Sequence, residues 1–154
     1  MNPADGAAGF ANCGPVFTPE TLEVVMVSFE GPDQYSQAGG LGVRAREMCR
    51  AFAARGFTTT LVFVGDPNKP MLEEDHGVQL VRWCQELSAR YLAGVYEGEH
   101  QKIADLSATL PEHLLQRIIH PAVQRGKVVA ILCEEWHTAM FCRCLLYTSD
   151  AADD

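Results

Sequence analysis

Two short segments carry residue types and spacings that can do chemistry. The first, SQAGGLGVRA, Ser36 to Ala45, puts Gly39, Gly40, Leu41 and Gly42 at the opening of a helical pattern. A residue without Cβ admits positive φ and lets the backbone approach a ligand closely. The first turn of a helix adds unpaired N–H groups at the positive end of its dipole. Together these suit an anion, above all a phosphate or diphosphate. A tight turn before a helix uses the same residues, and the glycines alone do not separate the two readings.

The second segment, CEEWHTA, Cys133 to Ala139, gathers Glu134, Glu135, Trp136 and His137 after an apolar run. Its simplest reading is local: the carboxylates favour the N-terminal end of the helix that follows, and Trp136 fills core. Cys133, His137, Cys142 and Cys144 also invite a zinc site, because sulfur and imidazole are its usual ligands. Their spacing fits none of the common paired-cysteine patterns, so no metal is expected. A dinucleotide fingerprint can be drawn through Gly40, Gly42 and Ala45 as G-x-G-x-x-A, with Asp66 as the ribose acid. That fingerprint needs its first glycine almost directly after a strand, whereas Glu30 to Ala38 intervene here.

The elements that would position these segments follow from periodicity. LEVVMVSF, Leu22 to Phe29, is an apolar run with three valines, the mark of a strand covered on both faces. Leu41, Ala45, Met48, Cys49, Phe52 and Ala53 then recur at helical spacing, with Arg44, Arg46, Glu47 and Arg50 opposite and Gly56 as the stop. FTTTLVFVGD reads as a second strand, NKPMLEEDHG as a polar loop, and Val78 to Cys84 as a third strand. From Glu97 to Arg125 two helical patterns are expected to part near Pro111, with His100, His113 and His120 as surface or capping histidines. KVVAILCEEW reads as a fourth strand of the buried kind, and HTAMFCR opens a last helix. Strands alternating with helices predict an α/β fold, a Rossmann-like doubly wound parallel sheet, whose ligands bind beyond the carboxyl ends of the strands. Both chemical segments reach that edge.

Composition narrows the classes. At 154 residues, 47% hydrophobic and 21% charged, the chain can bury one ordinary core, which argues against disorder. A net charge of -8 supplies no broad basic surface, so neither nucleic acid nor an anionic membrane is an expected partner. No apolar run approaches the roughly 20 residues of a membrane span, and a cytoplasmic location is the expectation. Cys13, Cys49, Cys84, Cys133, Cys142 and Cys144 lie scattered in apolar surroundings and read as reduced thiols. Residues 1–20, rich in Gly, Ala, Pro and Asn, read as a loose leader.

The final stretch, Cys144 to Asp154, resembles the conceptual translation of a transposon-end adapter used in DNA sequencing libraries. It is therefore set apart from fold reasoning, leaving residues 21–143 as the domain and 144–154 as a non-native tail.

Within that domain, the long polar loop ending in G-G-L-G before a helix is similar to the N-terminal domain of GT-B glycosyltransferases, the group that includes glycogen and starch synthases and the family 4 transferases. EEWHTA resembles the same group's H-x-H-D-W-x-T/A stretch, with Trp136, His137, Thr138 and Ala139 in place, and GDPNKP, VRWCQELS and GVYEGE resemble a bacterial family 4 subgroup. Gln37 stands where the glucan synthases carry a lysine, and Leu132, Cys133, Glu134 and Glu135 stand where they carry H-x-H-D, which favours a family 4 enzyme with another acceptor.

The resemblance implies the incomplete N-terminal half of a retaining, two-domain hexosyltransferase that needs neither metal nor cofactor. The nucleotide-sugar is its substrate, and a glycan or small molecule its acceptor. Gly39, Gly40, Leu41 and Gly42 would lie against the donor diphosphate. Glu134, Glu135, Trp136 and His137 would form the sugar or acceptor subsite, the tryptophan offering an apolar face and the histidine a hydrogen bond. No catalytic residue is assigned. Without the C-terminal domain of the same chain the fragment is expected to be inactive. The competing expectations are a nicotinamide-dependent Rossmann oxidoreductase and a stand-alone α/β anion-binding module.

Overall fold

The computed structural model describes residue 14 and residues 16–150, with the backbone alone for 149 and 150. Most of the expected leader, with Cys13, and the last part of the tail, 151–154, lie outside the described residues.

Five strands form one sheet in the order β3-β4-β2-β1-β5. β1 (Leu22–Val27), β2 (Thr58–Val64), β4 (Val78–Trp83) and β5 (Val128–Cys133) run parallel, and β3 (Leu72–Asp75) pairs antiparallel with β4. The protein is thus α/β, with a mostly parallel sheet flanked by helices.

Alternation along the central strands splits the core in two. Val25, Val27, Phe29, Val62, Val64 and Val81 join Leu106, Leu110 and Leu114 of α3 (Glu99–Leu114) and Phe141 of α5 (Ala139–Asp150). Met26, Leu61, Phe63, Val78 and Leu80 join Ala45 and Cys49 of α1 (Leu41–Ala53). This period of two is what makes β1 and β2 apolar on successive residues, since each face meets helices.

Three expectations are corrected. The polar loop NKPMLEEDHG contains β3, joined to β4 by His76 and Gly77, both at positive φ as a two-residue hairpin turn requires. Its charged LEED sequence is that of an edge strand blunted by acids, which shows no apolar alternation. The helical break expected near Pro111 is absent there: α3 passes through Pro111, and the irregularity is a wide turn at Leu115–Ile119 leading into α4 (His120–Gln124). Pro121, having no N–H for the carbonyl four residues back, accounts for a shifted register just before it. Among the described residues β5 is an edge strand paired only with β1, its residues exposed or half-buried despite their apolar run.

α5 continues across the boundary between Arg143 and Cys144, and Leu145 packs against the α3 side of the core. A short helix α2 (Gln85–Ser88) follows β4. Among the described residues no helix is long and apolar enough to cross a membrane.

Candidate functional site at the carboxyl ends of β1 and β5

The chain leaves β1 toward β2 and β4 on one side and returns to β5 on the other. The reversal therefore lies between β1 and β5, where open α/β sheets leave their crevice. Glu30 emerges just beyond β1 and Glu134 just beyond β5, so both chemical segments flank this point.

Glu30 is almost wholly buried, at 2% exposure, and its carboxylate organises the first segment. Oε2 accepts the amides of Gly39 at 3.2 Å and Gly42 at 3.3 Å, while the Tyr96 hydroxyl donates to Oε1 at 2.7 Å. The N-terminal turn of α1 therefore already holds a carboxylate from its own chain, which suits the dipole there. Burial, followed by the Glu30 contact, pushes the Tyr96 phenol up.

Neither Gly39 nor Gly40 adopts positive φ, contrary to expectation; Gly40 caps α1 at φ -84°. The glycine that the fold demands is Gly42, where a Cβ would stand 2.4 Å from the Gly31 carbonyl oxygen. Its missing side chain lets α1 pack onto the loop. Around Gly40, nothing among the described residues lies within 4 Å of the position a Cβ would take. Leu41 is half-buried at the first position of α1.

Below this loop, Asp33 and Arg82 are both buried and joined through two hydrogen bonds, Nε to Oδ2 at 2.7 Å and Nη2 to Oδ1 at 3.0 Å. Lys69 and the Asp66 amide also donate to Asp33. Burial alone would raise the Asp33 carboxyl, but these hydrogen bonds outweigh it and hold it below its ordinary value. Asp66, the candidate ribose acid, turns its carboxylate to the Asn68 amide at 2.8 Å, closing its own turn.

The second segment is bent at Glu135, whose φ of 67° and ψ of 170° are otherwise nearly confined to glycine. Such a conformation costs on the order of 1–3 kcal/mol and persists only where surrounding contacts fix it. Thr138 Oγ1 helps to fix it, its one proton shared between the carbonyls of Glu134 at 2.9 Å and Glu135 at 3.0 Å.

His137, 4% exposed, lies between two carboxylates: Nδ1 is 3.1 Å from Glu135 Oε2 and Nε2 is 2.6 Å from Glu99 Oε1. Its ring stacks on Phe29 at 4.4 Å and on Trp136 at 4.0 Å. Both nitrogens are engaged within the protein, so the hydrogen bond to a sugar expected of His137 is not on offer in this arrangement. Trp136, by contrast, is 64% exposed and is surface rather than core. Burial raises the Glu135 carboxyl, with His137 opposing, and its Oε1 is buried without a hydrogen-bond partner among the described residues.

The two segments touch. Arg44 of α1 pairs with Glu134 at 3.1 Å, and Phe29, after β1, supports His137. A cavity of about 510 Å³ opens beside the glycine loop, lined by Tyr35, Ala38, Asp66, Tyr96 and Glu97 among others.

The zinc candidates are arranged otherwise: Cys133 lies against Cys142, its thiol pushed up by burial and then by that neighbour, while His137 faces glutamates. Among the described residues no group of three or more His, Cys, Asp and Glu side chains is placed to hold a metal ion.

Sequence reasoning missed Glu30, Tyr96, Glu99 and Arg44. Glu30 had a signal, a charge immediately after a buried strand at its carboxyl end. Glu99 had none, because an acid in the first turn of a helix is ordinary. No family model matches the chain, and no curated protein or solved structure matches it.

Proposed function

We propose that the chain is the N-terminal Rossmann-like half of a GT-B, family 4-like retaining glycosyltransferase, moving a sugar from a nucleotide donor to a glycan or small-molecule acceptor. The observation that carries this reading is the convergence of the G-G-L-G loop and the EEWHTA segment across the β1–β5 reversal, where Arg44 meets Glu134. A nucleotide-sugar bound there would set its sugar near the exposed face of Trp136, whose other side rests on His137. Its diphosphate would approach from the open side of Gly40, because the amides of Gly39 and Gly42 already serve Glu30. Backbone N–H groups in such a place stabilise the charge that grows as the nucleotide leaves, which is electrostatic rather than acid–base work.

The unprotected β5 edge supports the half-domain reading. An apolar strand with half-exposed side chains and, among the described residues, one unpaired edge is what a sheet shows where further strands belong. On this reading the missing C-terminal domain supplies the opposite wall of the cleft, the fragment alone is inactive, the enzyme is cytoplasmic, and neither metal nor cofactor is needed.

The test is to sequence the source DNA across the codon for Arg143, express the frame that continues from it, and assay nucleotide sugars. A second α/β domain and sugar transfer that falls at least about tenfold on Trp136→Ala are expected, the size of one interaction lost in the transition state. A genomic frame that encodes CLLYTSDAADD and stops would overturn the half-enzyme reading, as would a continued chain that transfers no sugar.

A further inference from the structure

His137 presents a proton-counting problem. A neutral imidazole has one donor and one acceptor nitrogen, yet both of its nitrogens lie within hydrogen-bond distance of carboxylate oxygens. With Glu99 and Glu135 both ionised and the ring neutral, one contact would set acceptor against acceptor. One further proton must reside on the ring or on a carboxylate.

We propose that Glu135, His137 and Glu99 form a proton chain in which Glu135 is held as the neutral acid: its Oε2–H donates to His137 Nδ1, and His137 Nε2–H donates to the Glu99 carboxylate. Against a cationic ring, which would pull the proton off Glu135, three observations oppose an ionised Glu135 and choose it as the proton's holder. Its Oε1 is buried and unpartnered, which costs less for a neutral carboxyl than for an ionised one. Its side chain is 11% exposed against 27% for Glu99, so water can stabilise charge on Glu99 more readily. Further acids face it: Glu30 from the loop after β1 and Glu134 just beyond β5, the latter already paired with Arg44 of α1. Tyr96, the other group at this place, directs its proton to Glu30 and does not serve Glu135.

The chain fixes the His137 tautomer, and with it the ring on which Trp136 stacks. Glu99 and Glu135 are thus positioning residues for the tryptophan face. Loss of the proton leaves an unpartnered carboxylate beside Glu30 and Glu134 in a strained turn, so the turn at Trp136–Thr138 shifts as pH rises. The inference rests on the transferase reading only in taking Trp136 to face a ligand; the protonation pattern can be measured without any activity.

The experiment uses the 154-residue chain with carbon-13 in the glutamate carboxyls and nitrogen-15 in the histidine rings. Expected are a Glu135 carboxyl that holds its proton to higher pH than exposed glutamates do, and a His137 ring with Nε2 protonated and Nδ1 bare while Glu135 keeps that proton. A Trp83→Phe variant then isolates Trp136 emission, which should change with the same midpoint. Glu135→Gln, which can still donate to Nδ1, should keep the low-pH emission and abolish the change. Glu135 titrating with exposed glutamates, a His137 ring protonated on both nitrogens beside two ionised carboxylates, or pH-dependent emission surviving in Glu135→Gln would each overturn the proposal. Failure of the transferase assay with the chain intact would sink only the transferase reading.

Discussion

The Gly42 amide donates to Glu30 Oε2 at 3.3 Å, so a buried carboxylate of the chain itself occupies the N-terminal turn of α1. The turn is an anion seat whose first occupant is intramolecular. Replacing Glu30 by alanine leaves the Gly39 amide, the Gly42 amide and the Tyr96 hydroxyl without their acceptor. A loss of about 2 kcal/mol is expected, within the range for hydrogen bonds to a charged group. Glu30→Gln keeps an acceptor oxygen and should lose about half of that. Urea unfolding measures both, and equal stability of the wild type and Glu30→Ala would show that the carboxylate does not hold the loop.

The glycines of the loop should respond in opposite ways. Gly40 sits at ordinary φ in open space, so Gly40→Ala should stay within about 0.5 kcal/mol of wild type. Gly42→Ala drives a methyl into the Gly31 carbonyl at 2.4 Å and should cost about 1–3 kcal/mol, the usual penalty of overpacking. Thermal unfolding of the two variants separates a loop built for packing from one built for conformational freedom.

What was legible in the sequence and what was not divide along the range of the interactions. Val24 to Val27 and Leu61 to Val64 announce covered strands because both faces of each strand meet helices, and the Ala45–Cys49 spacing announces the buried face of α1. β3 was hidden because LEED is an edge strand, exposed along most of its length and without apolar alternation. The edge position of β5 was equally hidden, since an apolar run reads the same whether one neighbour or two will pair with it. At the site, the places of Glu134 and Trp136 followed from where a strand ends. The Glu99–His137 contact joins residues 38 apart in the chain and left no local pattern.

Asp33 gives the chain a defined acid sensitivity. Its carboxyl is held below the usual value in the folded protein, because the hydrogen bonds from Arg82, the Asp66 amide and Lys69 overcome the opposing effect of burial. The folded state therefore binds the proton less readily than the unfolded chain. Stabilisation is complete above the ordinary aspartate value, about 3.9, and is lost as pH falls through the depressed one. Asp33→Asn should remove about 3 kcal/mol at neutral pH, by leaving Arg82 buried with only part of its pairing. It should also flatten the acid limb of a stability-versus-pH curve, and an unchanged acid limb would assign that sensitivity to other carboxylates.

Lys102 is fully buried on α3, and its ammonium donates to the Gly94 and Val95 carbonyls and to the Tyr35 hydroxyl at 3.2, 2.9 and 2.7 Å. The Tyr35 and Tyr91 rings flank the same charge, at 5.1 and 5.7 Å from their centroids. Tyr35 in turn donates to the Tyr91 carbonyl at 2.6 Å, so a single cation ties the loop after β1 to the segment that carries Tyr96. Lys102→Met keeps the aliphatic volume but leaves the buried Val95 carbonyl and the half-buried Gly94 carbonyl short of a donor, and should cost about 2–4 kcal/mol, since each unsatisfied group costs about 1–3. Because Tyr96 also bonds Glu30, the damage should reach the glycine loop. Limited proteolysis should then cut first between Tyr91 and Gly98, and amide exchange should speed up at Gly39 and Gly42. Unchanged exchange at those two amides would show that Lys102 serves its own loop alone.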